Sequence, residues 1–202
     1  MWILRKSIGK SRTILDLGCG DGRLMKIISQ GNNWEITGVD IYEGWLKQAR
    51  EMKVYKRLIK GDINAICRIL IKQKKKFDVV FCSQTIEHVT RRNGKELLRL
   101  VDRLARKRIV FGTPSGFMKQ PDEFLGDNPY QEHKSGWSRE DFERRGYKVY
   151  GMGFRPIWFE GGLARTKNKF LLLFFTTISF LMSPLVYFYP KLGAGLLCVK
   201  KF

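Results

Sequence analysis

The feature that most constrains this chain is the stretch ILDLGCGDGR close to its amino terminus. An apolar run of β type ends at Asp16, and glycines follow at Gly18, Gly20 and Gly22. This order predicts a buried strand, a tight glycine turn, and a helix that begins near Asp21. Glycine suits such a turn because it tolerates positive φ and lets a ligand approach the backbone closely. The turn amides and the positive end of the helix then face the space above the strand.

The spacing of the glycines separates two nucleotide-binding patterns. The dinucleotide fingerprint G-x-G-x-x-G would need a small residue at position 23, where this chain has Arg23. The pattern D-x-G-x-G-x-G instead resembles motif I of the class I S-adenosylmethionine-dependent methyltransferases. That resemblance implies that Asp16 contacts the methionine moiety and that the turn Gly18, Cys19 and Gly20 lies beneath the cofactor. A structural glycine turn without a ligand is the alternative.

Three more strand patterns follow, in the same order along the chain as in that family. WEITGVDIY alternates like a strand and ends at Asp40, roughly twenty residues after the glycine turn, where an acid can accept hydrogen bonds from ribose hydroxyls. We include the adjacent Ile41 in the predicted cofactor site. VYKRLIKGDI predicts a short strand, followed by Asp62 and Ile63, which the resemblance places along the adenine edge.

KFDVVFCSQTIEHV predicts the fourth strand, over residues 77–82, and a family-like turn at Ser83–Gln84. Acid–base candidates follow directly at Glu87 and His88, and His133 lies further along the chain. The quinone O-methyltransferases carry an E-x-x-E-H pattern, associated with a divalent metal, at this turn. Because Gln84 replaces its first acid, we predict no metal here. A packing role for His88 and a loop-ordering role for His133 are the alternatives.

The alternation of strand and helix patterns predicts an α/β fold with one domain over residues 1–202. Helix patterns begin at Asp21, Glu43, Asn64 and Arg91, and three further strand patterns are KRIVFGTP, GYKVYGMGF and GAGLLCVKK. The resemblance implies a Rossmann-like seven-stranded sheet ordered 3-2-1-4-5-7-6. An apolar content of 44% is enough for the core of such a domain.

Two segments are candidates to cover the active site, because only about a dozen residues precede the first strand and leave little room for an amino-terminal helical lid. One is the loop 115–137, which contains Phe117, Phe124, Tyr130 and Trp137 and is followed by a helix capped by Ser138. The stretch TPSGF…NPYQEHKSGWSREDFERRGYKVYG resembles type-11 methyltransferases of bacteria and archaea, and that resemblance covers nearly the full chain without naming a substrate.

The second candidate is the insertion 165–191, in which residues 170–190 carry no charged side chain. About twenty helical residues could cross a hydrocarbon core of about 30 Å. However, Pro184 interrupts the helix, and a crossing would remove the last strand from the sheet. Basic residues on both flanks fit anionic headgroups. We therefore predict a segment that enters the membrane interface and returns; a protein interface or burial in the core are the alternatives.

The net charge of +19 predicts a polyanionic partner, either an anionic membrane surface or nucleic acid. The apolar insertion favours the membrane, and a lipid or lipid-linked small-molecule acceptor. An RNA methyltransferase and a non-catalytic S-adenosylmethionine-binding module are the rival functions. Four scattered cysteines without a C-x-x-C pair indicate a reducing compartment and no zinc site. With no signal-peptide pattern at the start, we expect the cytoplasmic face of the cell membrane.

Overall fold

Seven strands form one mixed sheet in the computed structural model, which describes residues 2–119 and 128–202. They are β1 (Thr13–Leu17), β2 (Glu35–Asp40), β3 (Arg57–Lys60), β4 (Phe77–Ser83), β5 (Ala105–Pro114), β6 (Lys148–Phe154) and β7 (Gly193–Lys201). The sheet order is β3-β2-β1-β4-β5-β7-β6, which confirms the expected fold class. Neighbouring strands from β3 to β5 are parallel, and β7 runs antiparallel to β5 and β6.

Eight helices accompany the sheet in the described part of the chain. They are α1 (Trp2–Ile8), α2 (Arg23–Ser29), α3 (Glu43–Glu51), α4 (Ile63–Lys72), α5 (Arg91–Leu104), α6 (Arg139–Glu143), α7 (Arg155–Trp158) and α8 (Lys169–Phe188). Short 3-10 turns lie at Ile86–His88, Pro129–Gln131, Leu163–Arg165 and Pro190–Leu192.

The sheet separates two apolar cores, because successive side chains of a strand point to opposite faces. Leu15 and Leu17 join the core beneath α4 and α5, whereas Ile14 joins the core beneath α1 and α2. Helix α8 lies on the second face, where Tyr187 stacks on Tyr150 of β6 at 4.4 Å. Both faces of the central strands are thus buried, as parallel sheets require.

Most of the predicted boundaries agree with the structure, and the differences are local. Helices α3 and α5 begin at the predicted residues, and Ser138 caps α6 in a capping box. The prediction of a helix from Asp21 is wrong: Gly22 has a φ of 79° and forms the N-cap, so α2 begins two residues later. The prediction that α4 starts at Asn64 is wrong by one residue, because Asp62 is the N-cap.

Two other strand and helix boundaries were not anticipated. Strand β4 continues to Ser83, one residue beyond the prediction, because that residue still pairs with Gly112 of β5. The helix α1 precedes β1, and Ile8 anchors it in the core. Its neighbours include Gly31 and Arg108, which lie toward the amino edge of the sheet. Helix α1 is therefore remote from the glycine turn at the carboxyl edge.

The structure describes residues 115–119 and 128–137 of the loop that was predicted to cover the active site. Gly116 forms an isolated antiparallel bridge with Trp137, whose side chain is buried. Phe117 and Tyr130 are exposed. Phe124 lies outside the described residues.

Candidate active site

The glycine turn joins the carboxyl end of β1 to α2 and touches two neighbouring strands. Gly18 has a φ of 71°, and a Cβ there would lie 2.1 Å from Oγ1 of Thr85, in the turn after β4. The amides of Gly18 and Cys19 both donate to the carbonyl of Val39 in β2. Burial raises the pKa of the Cys19 thiol, which therefore stays protonated and packs as a small residue. The turn can only close if the residue at Gly18 has no side chain.

Asp40 connects the end of β2 to this turn. Its Oδ2 accepts a hydrogen bond from the Gly20 amide at 2.8 Å, and its Oδ1 accepts one from the Tyr42 amide at 2.9 Å. Burial raises the pKa of this carboxyl, and the two amide donors oppose that rise. Each carboxylate oxygen can still accept a second hydrogen bond, as a ribose diol would require. Ile41, half-buried, follows at the same edge.

The structure places the Asp16 side chain inside the domain, beneath the turn. It is 4% exposed, and its Oδ2 accepts a hydrogen bond from the Tyr55 hydroxyl at 2.8 Å. Burial raises the pKa of Asp16 from its ordinary value of 3.8 to about 7, although the Tyr55 hydrogen bond lowers it. Its contact with the methionine moiety stays a prediction. The geometry shows Asp16 and Tyr55 supporting the turn from below.

Four predicted cofactor residues lie at the ends of the next strands along the sheet. Asp62 is exposed, and its Oδ1 accepts a hydrogen bond from the Ala65 amide, so the side chain caps α4. Ile63 is buried behind it. Ser83 ends β4, and Gln84 has a φ of 52° with an exposed side chain. Because β3, β2, β1 and β4 are adjacent, these residues share one edge of the sheet with Asp40.

The three predicted acid–base residues lie together, although 44 residues separate two of them. The rings of His88 and His133 are 4.8 Å apart at 67°. Glu87 is buried, and its Oε2 accepts a hydrogen bond from Oγ1 of Thr113 at 3.0 Å. Burial raises the pKa of Glu87 to about 7 and lowers the pKa of His88 to about 4. The His88 imidazole is therefore neutral near pH 7, and its low pKa makes it a weak base.

The amino-terminal half of the chain is similar in sequence to known methyltransferases. A methyltransferase-domain family model matches residues 14–108. The ubiquinone biosynthesis O-methyltransferase of Coxiella burnetii is 32% identical over 83 residues, which are 40% of this chain and 34% of that protein. That of Idiomarina loihiensis is 37% identical over 79 residues, 39% of this chain and 32% of that protein. The chain thus spans about a third of the length of the curated relatives it matches.

Solved structures extend the similarity to the whole chain at the level of the fold. A SAM-dependent methyltransferase from Archaeoglobus fulgidus superimposes with a TM-score of 0.64 and 19% identity, covering 100% of this chain and 90% of that one. Residues 14–108 match a methyltransferase domain, and the sheet order over the described residues is that of the class I S-adenosylmethionine-dependent methyltransferases. S-adenosylmethionine is the cofactor of this type of domain, as we predicted. That the glycine turn and Asp40 hold the cofactor stays a prediction.

The loop that carries His133 is pinned to the methyltransferase domain just after β4. The amides of Lys134 and Ser135 both donate to the main-chain carbonyl of Glu87. The Trp137 indole donates to the carbonyl of Ile86 at 3.3 Å, and the Arg91 guanidinium lies 4.1 Å above the same ring. These contacts hold His133 beside His88.

A divalent metal of the kind associated with quinone O-methyltransferases can be tested against this site. The ligand atoms of Glu87, His88 and His133 all lie within 4.8 Å of one another. Oε1 of Glu87 is buried and has no hydrogen-bond partner among the described residues. Nδ1 of each histidine contacts a main-chain carbonyl, which leaves both Nε2 atoms available.

This donor set fits a metal. Two imidazoles and one carboxylate suit zinc or iron(II) better than magnesium, which prefers oxygen ligands. A bound ion there would act as a Lewis acid toward an acceptor oxygen. Because Gln84 replaces an acid, the sequence argued against a metal, but the sequence could not show that His133 supplies another ligand atom. The absence of a metal stays a prediction.

Sequence reasoning missed the residues that support the site from behind. Tyr55, Thr85 and Thr113 each hold a predicted residue through a hydrogen bond or close contact, and Arg91 orders the loop. None belongs to a recognisable motif, because each acts on a residue that is distant in the sequence. A polar residue at a predicted strand end, such as Thr113, is the one signal that could have found them.

Proposed function

We propose that this chain transfers the methyl group of S-adenosylmethionine to a small, lipid-linked acceptor at the cytoplasmic face of the membrane. Support for a small-molecule acceptor comes from the ubiquinone biosynthesis O-methyltransferases, whose similarity covers the cofactor-binding half. The observation that carries the membrane part is α8. Of its twenty residues only Ser179 and Val186 are buried, and the helix is long and apolar enough to enter a bilayer.

The contacts of α8 favour a helix that lies in the interface over one that crosses the bilayer. Its second half packs on β6, where the Ser179 hydroxyl accepts a hydrogen bond from the amide of Phe154, the last residue of that strand. Only residues 169–178 precede this contact. Ten helical residues span about 15 Å, roughly half of a hydrocarbon core. A complete crossing would pull β6 and β7 into the lipid.

The charges at the ends of α8 support the same orientation. Arg165, Lys167 and Lys169 lie at its start, and Lys191 lies just after its end. Cations at both ends are stable at the level of the headgroups and unstable in the hydrocarbon. An in-plane helix keeps all four at that level while its apolar side chains enter the lipid.

The position of α8 relative to the sheet connects the membrane to the chemistry. Phe154 lies at the carboxyl edge of the sheet, because β6 is parallel to β5 through β7. The first half of α8 therefore extends past the edge that carries the glycine turn and Asp40. An acceptor anchored by an apolar chain could reach this edge without leaving the interface.

Methyl transfer needs an acceptor held in line with the sulfonium and shielded from water. For a hydroxyl acceptor, a base must also remove a proton. The candidates for that step are His88, His133 and Glu87, whose ligand atoms lie within 4.8 Å of one another. Thr113 keeps the Glu87 carboxyl in place.

The decisive experiment incubates the protein with methyl-labelled S-adenosylmethionine and extract from the source cells, then separates the organic and nucleic-acid fractions. We expect label in the organic phase with the wild type and none with Asp40→Ala. Glu51→Ala, an exposed acid on α3, is the matched control and should keep full labelling.

Two outcomes of that experiment would contradict the proposal. Label in nucleic acid would support the RNA methyltransferase that the charge of +19 also allows. Cofactor binding by calorimetry without label in any fraction would indicate a binding module without turnover.

A further inference from the structure

A long groove runs between α1 and the second half of α8, on the face of the sheet opposite α4 and α5. It encloses about 1040 Å³, a volume at the upper end of ligand pockets. Tyr150 and Val199 form part of its floor, and Tyr187 stacks on Tyr150. The groove is separate from the candidate active site, because its strand residues lie toward the amino edge of the sheet.

The walls of the groove are apolar and unusually exposed. Trp2 of α1 is 68% exposed, and Phe180, Leu181 and Phe188 of α8 are 76%, 70% and 72% exposed. Isolated exposed apolar residues are normal on proteins, but a continuous apolar surface of large side chains marks an interaction site. These four side chains line one groove, so their exposed apolar surfaces lie together rather than scattered over the protein.

Cations line the same groove. Lys148 begins β6 and Lys201 ends β7, while Lys6 and Lys10 come from α1 and the residues after it. None of these four lysines forms an ion pair within the described residues. Arg108 also lines the groove, but it donates to the carbonyls of α1.

The described lining contains no acidic side chain. A site with an apolar floor, apolar walls and unpaired cations is complementary to a molecule with an apolar chain and an anionic head. Nucleic acid would match the cations but not the aliphatic and aromatic walls, which offer no hydrogen bonds to its backbone.

We propose that this groove binds one anionic phospholipid of the membrane, with its phosphate at the lysines and an acyl chain along α8. The inference rests on the membrane contact proposed above and names the lipid class and the residues that select it. It also makes α1 part of the membrane-binding surface, with Trp2 at the interface, where tryptophan is enriched. The lipid would attach the domain without occupying the acceptor site at the carboxyl edge.

The test measures binding to vesicles of phosphatidylcholine with and without phosphatidylglycerol. Each cation near an anionic surface contributes about 1 kcal/mol, so Lys6→Gln with Lys148→Gln should weaken binding to the anionic vesicles about 30-fold. The control pair is Lys75→Gln with Lys95→Gln, two exposed lysines on the α4 and α5 side of the sheet with the same change in net charge. That pair should change binding by less than about threefold, since only the general field is altered.

A second measurement locates the acyl chain. Phosphatidylglycerol with brominated chains should quench tryptophan fluorescence in the wild type, and Trp2→Phe should remove part of that quenching. Leu181→Gln should weaken binding to both types of vesicle, because it removes apolar contact without changing charge.

Each result separates the groove from the rest of the proposed function. If the two double lysine variants lose equal affinity for the anionic vesicles, or if the groove variant loses none, the lipid site is overturned. Membrane contact through α8 would still stand. If the wild type binds no vesicle and sedimentation shows a dimer that Leu181→Gln dissociates, a second copy fills the groove and both the lipid and the membrane contact are refuted. Cofactor affinity by calorimetry should be the same in all variants, so methyl transfer is judged independently.

Discussion

The buried pair Asp16 and Tyr55 allows the support of the glycine turn to be tested through pH. The perturbation is Asp16→Asn, which keeps the size of the side chain and an oxygen that can accept the hydrogen bond from Tyr55. Burial raises the pKa of Asp16 from 3.8 to about 7 in the folded protein. A carboxyl with a raised pKa binds its proton more tightly when folded, so its contribution to stability is present at low pH and is lost as pH rises to the folded pKa.

The magnitude follows from the size of that shift. At 1.36 kcal/mol per pKa unit, ionising Asp16 costs about 4 kcal/mol more in the folded protein than in the unfolded chain. Between pH 5 and pH 8 this cost lowers the free energy of unfolding by about 3 kcal/mol. Asparagine does not ionise. The free energy of unfolding of the wild type should therefore fall relative to that of Asp16→Asn by about 3 kcal/mol over this interval.

The assay is urea unfolding of both proteins at about pH 5 and about pH 8, followed by circular dichroism. Other titrating groups, including His88 and Glu87, are present in both proteins and cancel in the difference. Glu51→Gln, on the exposed side of α3, serves as the control and should follow the wild type at both pH values. Parallel pH dependences of the wild type and Asp16→Asn would refute the buried placement of this carboxyl. Tyr55→Phe gives a second check, because loss of the hydroxyl donor should move the transition to higher pH.

Three further predictions concern the cofactor site, the base and the attachment of α8. Asp40→Ala should weaken S-adenosylmethionine binding at least about tenfold in calorimetry, since a charge-assisted hydrogen bond contributes 1.5 kcal/mol or more; unchanged affinity would remove the ribose assignment. His133→Ala should lower kcat/KM about 100-fold or more and leave cofactor affinity unchanged if this residue takes part in proton removal; equal activity would leave it a loop-ordering residue. Gly151→Ala would place a Cβ 2.3 Å from a main-chain oxygen of α8, so we expect faster proteolysis within α8 while the cofactor still binds; wild-type protection would contradict the close packing of α8 on β6.

The cofactor-binding half of the fold could be predicted closely because its signals are local. The positions of Gly18 and Asp40 follow from an apolar run, a run of glycines and an alternating strand, each readable in a few residues. Helix boundaries were missed by one or two residues at Gly22 and Asp62, because a cap is defined by backbone angles and not by residue type alone. The helix α1 was missed because a short helix has little periodicity to detect.

The direction of the side chains could not be predicted in the same way. Asp16 belongs to the most recognisable motif in the chain, yet its carboxyl faces inward to Tyr55, 39 residues away. The pairing of His88 with His133 depends on a loop that Trp137 and Arg91 hold against the turn after β4. Both arrangements arise from contacts between residues that are distant in the sequence.

The sequence by itself determined the seven strands and the helices α2 to α6 in chain order, the glycine turn, the acid at the end of β2 and the apolar character of residues 170–190. Only the tertiary structure decided that α8 packs on β6 at Gly151, extends past the carboxyl edge and forms a groove with α1. Local sequence sets backbone angles and the periodicity of apolar side chains, and these define the elements. Which surfaces then lie side by side depends on the packing of the whole sheet. The residues of α1 and α8 that line the groove are more than 170 positions apart in the sequence.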